Sequence, residues 1–415
     1  MCSKLRNEGM NESYVLFDRQ KIAPYFLSKQ TLSSVLLVLL FSFVTQLVNS
    51  QSSKTLLFVG TYTDAKPNKG IYIFEFDTSN GNLSLLSTGK DIVNPSFLTL
   101  SPNGNYLYAC TESKMPGLGS VSAFKIDSTN GSITFINKQS SGGENPVYIS
   151  TSKNNEFLIC ANYTEGTAAV FPIRSDGGLH PYEQIFHFHG GSTNPVRQDK
   201  AHPHAAVFDT EYEYLFIPDL GADTMRTFRF DTMSSKPLIA VEKYDVQTTK
   251  GSGPRHLVFH PNKKFAYCIE ELSGTVAAYR YDNGRLDTLQ RIFSYSKIQE
   301  VYNSADIHIS PDGLFLYASN RWDNENTISI FAIDTIRGTL KLKGHQYVHG
   351  DHPRSFTLDP SGKFLIVANQ VTNNIVVFRR DQRTGFLKKI EKETQVPNPS
   401  SLKIRPYKAL KIKIK

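Results

Sequence analysis

The chain is organised around residues 251–279, which read GSGPRHLVFHPNKKFAYCIEELSGTVAAY. A short apolar run stands on each side of PNKK, which predicts two antiparallel strands joined by a tight turn. In such a hairpin the start of the first strand lies beside the end of the second. We therefore expect Arg255 and Glu271 to share one edge of a sheet. A plain hairpin needs no charges there, so this edge is a candidate site.

The same phrase recurs along the chain. Each copy has a strand, a turn rich in Pro, Asn, Asp and Gly, a second strand that ends in polar residues, and then two further strands. Six copies begin at Pro95, Pro146, Pro203, Pro254, Ser304 and Pro353. The N-terminal TLLFVGTYT, GIYIFEFD and LSLLSTG supply three strands without a first, and the C-terminal PSSLKIRP supplies a first strand alone.

These complementary half-units predict an all-β fold, a seven-bladed β-propeller of four-stranded antiparallel blades closed by strands from both termini. The propeller is expected to span residues 54–406, with a basic tail at 407–415. A pair of β-sandwiches and a β-solenoid are the alternatives, and neither calls for half-units at the two ends.

Residues 1–50 differ from the rest and are predicted to be a signal peptide or an N-terminal anchor. Lys21 and Lys29 precede an apolar run at Val35–Val48, and NSQSS follows it. This is the layout of a secretory signal. The run has about 14 residues, whereas a membrane span needs roughly 20. We expect export, periplasmic or secreted, rather than a cytoplasmic location, and any membrane contact would be through an uncleaved N-terminal segment.

Composition limits the partners. The net charge is +8, but basic residues are dispersed outside the termini, so no nucleic-acid partner is expected. Cys110, Cys160 and Cys268 each lie in an apolar strand and are predicted to be buried free thiols. The sequence does not indicate an oligomeric state.

Alignment of the copies places three columns of residues at one end of the central channel. The residues after the proline position are Ser96, Val147, His204, Arg255, Ala305, Arg354 and Ser400. The second strands close on Thr61, Thr111, Asn162, Asp219, Glu270, Asn320 and Asn369, followed by Tyr62, Glu112, Tyr163, Leu220, Glu271, Arg321 and Gln370. These columns are polar and differ between blades, as expected where a radial scaffold presents binding groups. Turn capping accounts for Thr and Asn but not for Arg; a ring of internal salt bridges is the remaining alternative.

Other motifs are weaker. His202 and His204 flank Pro203, and His187 and His189 flank Phe188, but neither pair has a third ligand at a recognisable spacing. We therefore expect no metal and no cofactor. No Gly-x-Ser-x-Gly elbow and no P-loop occur in the sequence. His204 lies in a mouth column and is the better histidine for acid–base chemistry.

Five groups of phrases carry a family resemblance over roughly residues 55–406: FVGTYT with KGIYIFEFD, AHPHA with PDLGAD, GPRHLVFHP with ELSGTV, ISPDGLFLYASNR, and HPRSFTLDPSGKFLIVANQ. Together they resemble the lactonase family of seven-bladed propellers, which includes propeller-type 6-phosphogluconolactonases and is related to fungal carboxymuconate cyclases. The resemblance implies catalytic groups at the channel mouth, with one His, two Arg and one Glu. At the matching positions these are His204 (or His202), Arg255, Glu271 and Arg321.

The resemblance implies hydrolysis of a sugar lactone of the glucono-1,5-lactone type. His204 or Glu271 would activate water, and the choice between them stays open. Arg255 and Arg321 would stabilise the oxyanion. The expected substrate-binding residues are His202, Arg354, Tyr62, Tyr163 and Asn369. An export signal departs from a cytosolic enzyme of this class, so phosphorylation of the lactone stays open. A muconate-type cycloisomerase and a non-catalytic propeller binding module of the envelope are the alternatives.

Overall fold

The computed structural model describes residues 54–63, 68–89, 92–112, 119–322 and 325–408. The predicted signal or anchor at 1–50 lies outside these residues, as does most of the predicted basic tail. Within the described part of the chain, no helix has the length and apolar character needed to cross a membrane.

The described residues form thirty strands in seven sheets, with one 3₁₀ turn at Glu242–Tyr244. The first three strands are β1 (Lys54–Thr61), β2 (Ile71–Phe76) and β3 (Leu83–Thr88). Blade 2 contains β4 (Pro95–Leu100), β5 (Tyr106–Thr111), β6 (Ser120–Asp127) and β7 (Ser132–Ser140). Blade 3 contains β8 (Pro146–Thr151), β9 (Phe157–Asn162), β10 (Thr167–Pro172) and β11 (Gln184–His187). Blade 4 contains β12 (Val207–Phe208), β13 (Tyr214–Asp219), β14 (Thr224–Phe230), β15 (Leu238–Ala240) and β16 (Val246–Gln247).

Blade 5 contains β17 (Pro254–Phe259), β18 (Phe265–Glu270), β19 (Thr275–Asp282) and β20 (Arg285–Phe293). Blade 6 contains β21 (Ser304–Ile309), β22 (Phe315–Asn320), β23 (Thr327–Ile333) and β24 (Leu340–Tyr347). Blade 7 contains β25 (Pro353–Leu358), β26 (Phe364–Asn369), β27 (Asn374–Arg380), β28 (Leu387–Lys389) and β29 (Thr394–Gln395). The last strand, β30 (Pro399–Tyr407), pairs with β1 and completes blade 1.

The predicted seven-bladed propeller is confirmed, including its closure by both ends of the chain. Blade 1 has the strand order β3-β2-β1-β30, so its innermost strand comes from the C-terminal end. The innermost strands of neighbouring blades contact one another around the central axis. Apolar side chains from facing sheets fill the space between blades, as Tyr108, Leu158 and Phe171 do between blades 2 and 3. The three described cysteines are buried and free, as predicted.

The inner hairpins have the predicted register. Pro254 pairs with Glu270 in blade 5, and the equivalent pairs recur in the other blades. The turn of this hairpin places Lys263 at a φ of 64°, a left-handed conformation that three other blades satisfy with glycine. The three polar columns therefore lie at one end of the channel, as the sequence predicts.

Blade 4 departs from the repeat. A full first strand is expected from Pro203, but β12 has two residues, and Pro203 forms an isolated bridge with Asp219. Pro203 and the facing Pro218 both lack the N–H that a regular ladder requires. The backbone N–H of His204 still donates to the carbonyl of Pro218, at 2.8 Å. His204 is thus carried by an irregular but anchored segment.

Candidate active site

β-Bulges aim the residues that follow the proline position. In blade 5 the register shifts between Pro254 and His256, which leaves Arg255 as the extra residue. Equivalent shifts follow Pro95, Pro146 and Pro353. A bulged residue has no place in the ladder and its side chain can be redirected. This local feature turns Arg255 into the channel.

Glu271 is the centre of the cluster. Its side chain is 1% exposed and contacts three arginines among the described residues. Its Oε2 lies 2.7 Å from Arg255 Nε and 3.3 Å from Arg321 Nη2, and its Oε1 lies 2.7 Å from Arg197 Nη2. Burial by itself would raise the pKa of Glu271, but Arg197, Arg321 and Arg255 outweigh it and hold the pKa well below its ordinary value. Glu271 is therefore a permanently ionised anchor for three guanidinium groups.

Two of these arginines are fixed in the same way. Arg255 Nη1 donates to Nε2 of His256 and to the carbonyl of Ala305, each at 2.8 Å. Arg321 Nη1 donates to Nε2 of His352 at 2.9 Å, and its Nε donates to the carbonyl of Asn303 at 3.1 Å. Each arginine thus combines one carboxylate, one main-chain carbonyl and one histidine.

Both histidines must be neutral to accept these hydrogen bonds, since a guanidinium group has no acceptor. Burial, followed by the charge of Arg255, lowers the pKa of His256 to about 4. Burial, followed by the charge of Arg321, lowers the pKa of His352 to about 2. Both shifts agree with neutral rings near pH 7.

A second charged group lies across the mouth. Arg354 Nη2 is 3.3 Å from Glu112 Oε2, and the guanidinium group lies over the ring of Tyr62 at 5.3 Å. The hydroxyl of Tyr62 donates to the same carboxylate oxygen. Burial, the largest cause, raises the pKa of Tyr62 well above its ordinary value, so the phenol keeps its proton. Tyr62 is therefore part of the wall that holds Glu112 and Arg354.

His204 lies inside the same mouth and is 6% exposed. Its ring is 5.4 Å from that of Tyr163 and 5.5 Å from that of His256. Its Nδ1 is buried and has no hydrogen-bond partner among the described residues. Burial, followed by the charge of Arg255, lowers the pKa of His204 well below its ordinary value. His204 is a neutral imidazole with an unused ring nitrogen.

His202 differs from His204. Its Nδ1 is 2.8 Å from the carbonyl of Tyr163, its Nε2 is 2.9 Å from Asp199, and its ring stacks on Tyr163 at 4.4 Å. Both nitrogens are thus used within the protein. The structure places His202 behind Tyr163, and Tyr163 lies between His202 and His204.

Asn369 is held differently from the charged residues. It is fully buried, and its side-chain amide donates to the carbonyl of Val348 at 3.1 Å. Asn162 and Asn320 donate to the carbonyls of Ser141 and Ser294 in the same way. These asparagines tie the end of a second strand to a preceding connection. Glu112, Glu271 and Arg321 come instead from the next column along the strand.

Four residues of the cluster were absent from the predicted site: Arg197, Glu112, His256 and His352. Glu112 belongs to a predicted column and His256 adjoins one, so the repeat gave a signal for both. Arg197 lies in a connection outside the repeated phrase, and no sequence pattern marked it. His352 directly precedes the proline position of blade 7, but its neighbours in the alignment gave it no role. His187, part of the weak second histidine pair, ends the outer strand of blade 3. No group of three His, Cys, Asp or Glu residues suited to a metal occurs in the described part of the chain.

The mouth carries an excess of positive charge. Four guanidinium groups, of Arg197, Arg255, Arg321 and Arg354, contact two carboxylates among the described residues, which leaves a formal charge of +2. Below them the channel narrows to a cavity of about 10 Å³, room for about one water. Phe97 and Tyr148 stack there at 4.2 Å. This part of the channel therefore has no room for a ligand larger than water.

The family is now evident from comparison. Residues 56–404 match the model of the seven-bladed β-propeller lactonase family. The chain belongs to this family. The resemblance seen in the sequence phrases is confirmed.

Relatives match over nearly their whole length. A Formosa agariphila protein named 6-phosphogluconolactonase is 47% identical over 352 residues, which cover 85% of this chain and 99% of that protein. The Bacillus subtilis 6-phosphogluconolactonase is 34% identical over 356 residues, which cover 85% of this chain and 98% of that protein. The solved structure of the Pseudomonas aeruginosa periplasmic gluconolactonase is 35% identical with a TM-score of 0.80, and covers 85% of this chain and 99% of that one.

Proposed function

We propose that this lactonase hydrolyses an anionic sugar lactone of the glucono-1,5-lactone type at the mouth of its central channel. The observation that carries the proposal is the excess of two positive charges among four arginines and two glutamates that are buried or partly buried. A neutral substrate would leave these charges uncompensated, whereas a phosphate or carboxylate accepts bidentate hydrogen bonds from arginine. The names of the relatives support a sugar lactone as the ring that is opened.

Arg255 and Arg321 suit the role of oxyanion stabilisers. When water attacks the lactone carbonyl carbon, the carbonyl oxygen becomes an oxyanion, and fixed cationic donors favour that charge in a buried site. Three N–H groups of Arg255 are used by Glu271, His256 and Ala305, while its Nη2 makes no hydrogen bond to the described residues. This leaves two donors for the substrate.

His204 is our choice for the general base. Its neutral ring can take a proton from water as the water attacks, and the resulting imidazolium can return it to the ring oxygen as the C–O bond breaks. Glu271 is poorly suited, because three arginines lower its pKa and occupy both of its oxygens. We assign Glu271 to holding the arginines. His202, Tyr163, Tyr62 and Arg354 shape the pocket wall in this proposal.

The cellular location of the enzyme is also a proposal. The apolar segment before residue 50 and the periplasmic location in the name of the Pseudomonas relative support export. An exported enzyme would meet lactones made by sugar oxidation outside the cytoplasm, so the anionic group need not be a phosphate. An aldonolactone with a carboxylate would serve the same arginines.

The test is hydrolysis by the purified protein in the presence of a chelator. Glucono-1,5-lactone, its 6-phosphate and a monolactone of glucaric acid, which keeps one free carboxylate, are compared by following acid release. We expect kcat/KM to be higher for a charged lactone than for the neutral one. Absence of turnover on all three refutes the proposal, and equal kcat/KM for the charged and neutral lactones refutes the role of the charge.

A muconate-type cycloisomerase is the second candidate, because the same excess charge suits a substrate with two carboxylates. Loss of the ultraviolet absorbance of cis,cis-muconate and 3-carboxymuconate would reveal this activity. Turnover of a muconate without turnover of any lactone would favour the cycloisomerase. If neither class reacts, the mouth is better explained as a binding site.

A further inference from the structure

Arg255 and His256 form an unusual buried contact. Arg255 is 2% exposed and His256 is 7% exposed, and Arg255 Nη1 lies 2.8 Å from His256 Nε2. Arginine has donors and no acceptor, so Nε2 must carry the lone pair. The proton of the neutral ring is therefore on Nδ1.

Asp306 faces that proton. Its Oδ1 lies 3.0 Å from His256 Nδ1, and its side chain is 10% exposed. Its Oδ2 accepts from the hydroxyl of Ser355 at 3.0 Å and from the backbone N–H of Phe356 at 3.2 Å. Asp306 is thus held by blade 7 while it contacts a histidine of blade 5. The carboxylate fixes the tautomer of the ring, as outer residues do for metal-binding histidines.

We propose that Asp306 and His256 are positioning residues of the active site: Asp306 keeps the proton of His256 on Nδ1, and the free Nε2 holds Arg255 so that its Nη2 faces the substrate. The inference rests on the proposed function, because it assigns Arg255 a ligand. Neither residue touches the substrate in this arrangement. Both act through the orientation of one guanidinium group.

A purely structural role for this buried bridge between blades predicts a different outcome. In that case substitutions would lower the melting temperature without a specific effect on catalysis. The positioning role instead depends on which nitrogen of His256 carries the proton. The experiment must therefore change the tautomer while keeping the shape.

Asp306→Asn is the variant that does this. Oδ2 of Asp306 faces the hydroxyl of Ser355, the N–H of Phe356 and Nε2 of His308, whereas Oδ1 faces His256 and the N–H of Ile307. The amide oxygen is therefore drawn to the Oδ2 position, which has more donors, and the amide N–H then faces His256 Nδ1. This favours the tautomer with the proton on Nε2, which opposes the N–H of Arg255. Loss of an outer partner of this kind costs about 10- to 100-fold in activity. We expect kcat/KM for the preferred lactone to fall by at least about tenfold.

The same substitution in a His256→Gln background tests whether the tautomer of His256 causes the loss of activity. His256→Gln keeps an acceptor for Arg255 and has no tautomers, so it should retain more activity than His256→Leu. In the His256→Gln background, Asp306→Asn should lower kcat/KM by less than about twofold, because there is no ring proton to misplace. An equal loss in both backgrounds means that Asp306 acts through packing, and the proposal fails.

Asp359→Asn is the matched control. Asp359 is 1% exposed, accepts hydrogen bonds from Ser361 and Phe364 in a turn of blade 7, and makes no contact with the mouth arginines. We expect a lower melting temperature with unchanged kcat/KM. If Asp306→Asn behaves as this control does, the positioning role is refuted.

Measurements of anion binding test this inference independently of the proposed hydrolysis. Calorimetry with 6-phosphogluconate and with inorganic phosphate measures the arginines without any turnover. Asp306→Asn should weaken binding of at least one probe about tenfold relative to Asp359→Asn. If the wild-type protein binds an anion but hydrolyses no lactone, the proposed function fails while this comparison still decides the inference. If the wild-type protein binds neither probe, Arg255 is not presented to an anion and the inference is also wrong.

Discussion

Glu271→Gln tests the charge cluster most directly, because it keeps the shape of the side chain and removes its charge. Glu271 contacts Arg255, Arg321 and Arg197 at 2.7, 3.3 and 2.7 Å. The substitution raises the formal charge of the mouth from +2 to +3. It leaves two nearly buried guanidinium groups, of Arg255 and Arg321, without their shared carboxylate. We expect the variant to be less stable than the wild-type protein. We also expect a bound anion to stabilise the variant more than it stabilises the wild-type protein.

The size of the expected loss of stability follows from the burial of these charged groups. Two unit charges 4 Å apart interact by about 4 kcal/mol at an effective dielectric constant of 20. Removal of one partner of a buried ion pair typically costs about 3–5 kcal/mol. Arg197 is 36% exposed at its side chain, so water screens that pair and it adds little. At roughly 2 °C per kcal/mol for a large chain, the melting temperature should fall by about 6–10 °C.

The assay is thermal unfolding with and without 6-phosphogluconate. A bound ligand stabilises a protein by RT ln(1 + [L]/Kd), about 2.7 kcal/mol at 100 times Kd. The variant should gain more stability from the ligand than the wild-type protein does, since the anion replaces the lost carboxylate charge. Its kcat should still fall, because the two arginines lose their common anchor. An unchanged melting temperature, or an equal ligand-induced shift in both proteins, would show that the charges are not coupled.

Three further outcomes are expected. Arg255→Ala should reduce kcat by about 10²- to 10³-fold, the usual effect of losing one oxyanion donor, while circular dichroism shows a folded protein; retention of full activity would remove Arg255 from the mechanism. The pH profile of kcat/KM should stay flat from neutral pH to below the ordinary histidine pKa and then decline, because His204 must be neutral to act and its pKa in the free enzyme is lowered. An acid limb at or above the ordinary histidine pKa would contradict the assignment. Trp322 is the single tryptophan of the chain, is 44% exposed and directly follows Arg321. Its fluorescence should change as 6-phosphogluconate binds, and a flat signal alongside a calorimetric binding curve would place the ligand elsewhere.

The fold could be predicted from the sequence because every blade repeats the same sequence pattern. The strands, the turn residues and the position that precedes Arg255 recur in the copies at a nearly constant spacing. The half-units at the two ends form a complete blade only with each other, and this pairing closes the ring. The exception in blade 4 is also local. Pro203 and Pro218 remove ladder donors from facing strands. Both prolines are visible in the sequence, but only the strand register of the structure shows that they face each other.

The site was predicted in part, and the difference has a geometric cause. Arg255, Glu271 and Arg321 lie at repeat positions, so alignment alone brings them to one rim. Arg197 comes from a long connection of blade 3 that has no counterpart in the other copies, yet it supplies one of the three cations on Glu271. Alignment also cannot separate neighbouring columns by role. Asn369 and Glu271 belong to adjacent columns, but one amide ties backbone segments together while the carboxylate gathers charges.

The histidines explain how the arginines of the mouth can be buried and still keep a net positive charge. A guanidinium group has five N–H donors, and a buried one is costly unless most of them have acceptors. Carboxylates would satisfy the donors but would also cancel the charge. His256 and His352 satisfy them as neutral acceptors, beside the carbonyls of Ala305 and Asn303. The cluster therefore keeps its two surplus charges with its arginines held in place, which is the condition that binding and stabilising an anion requires.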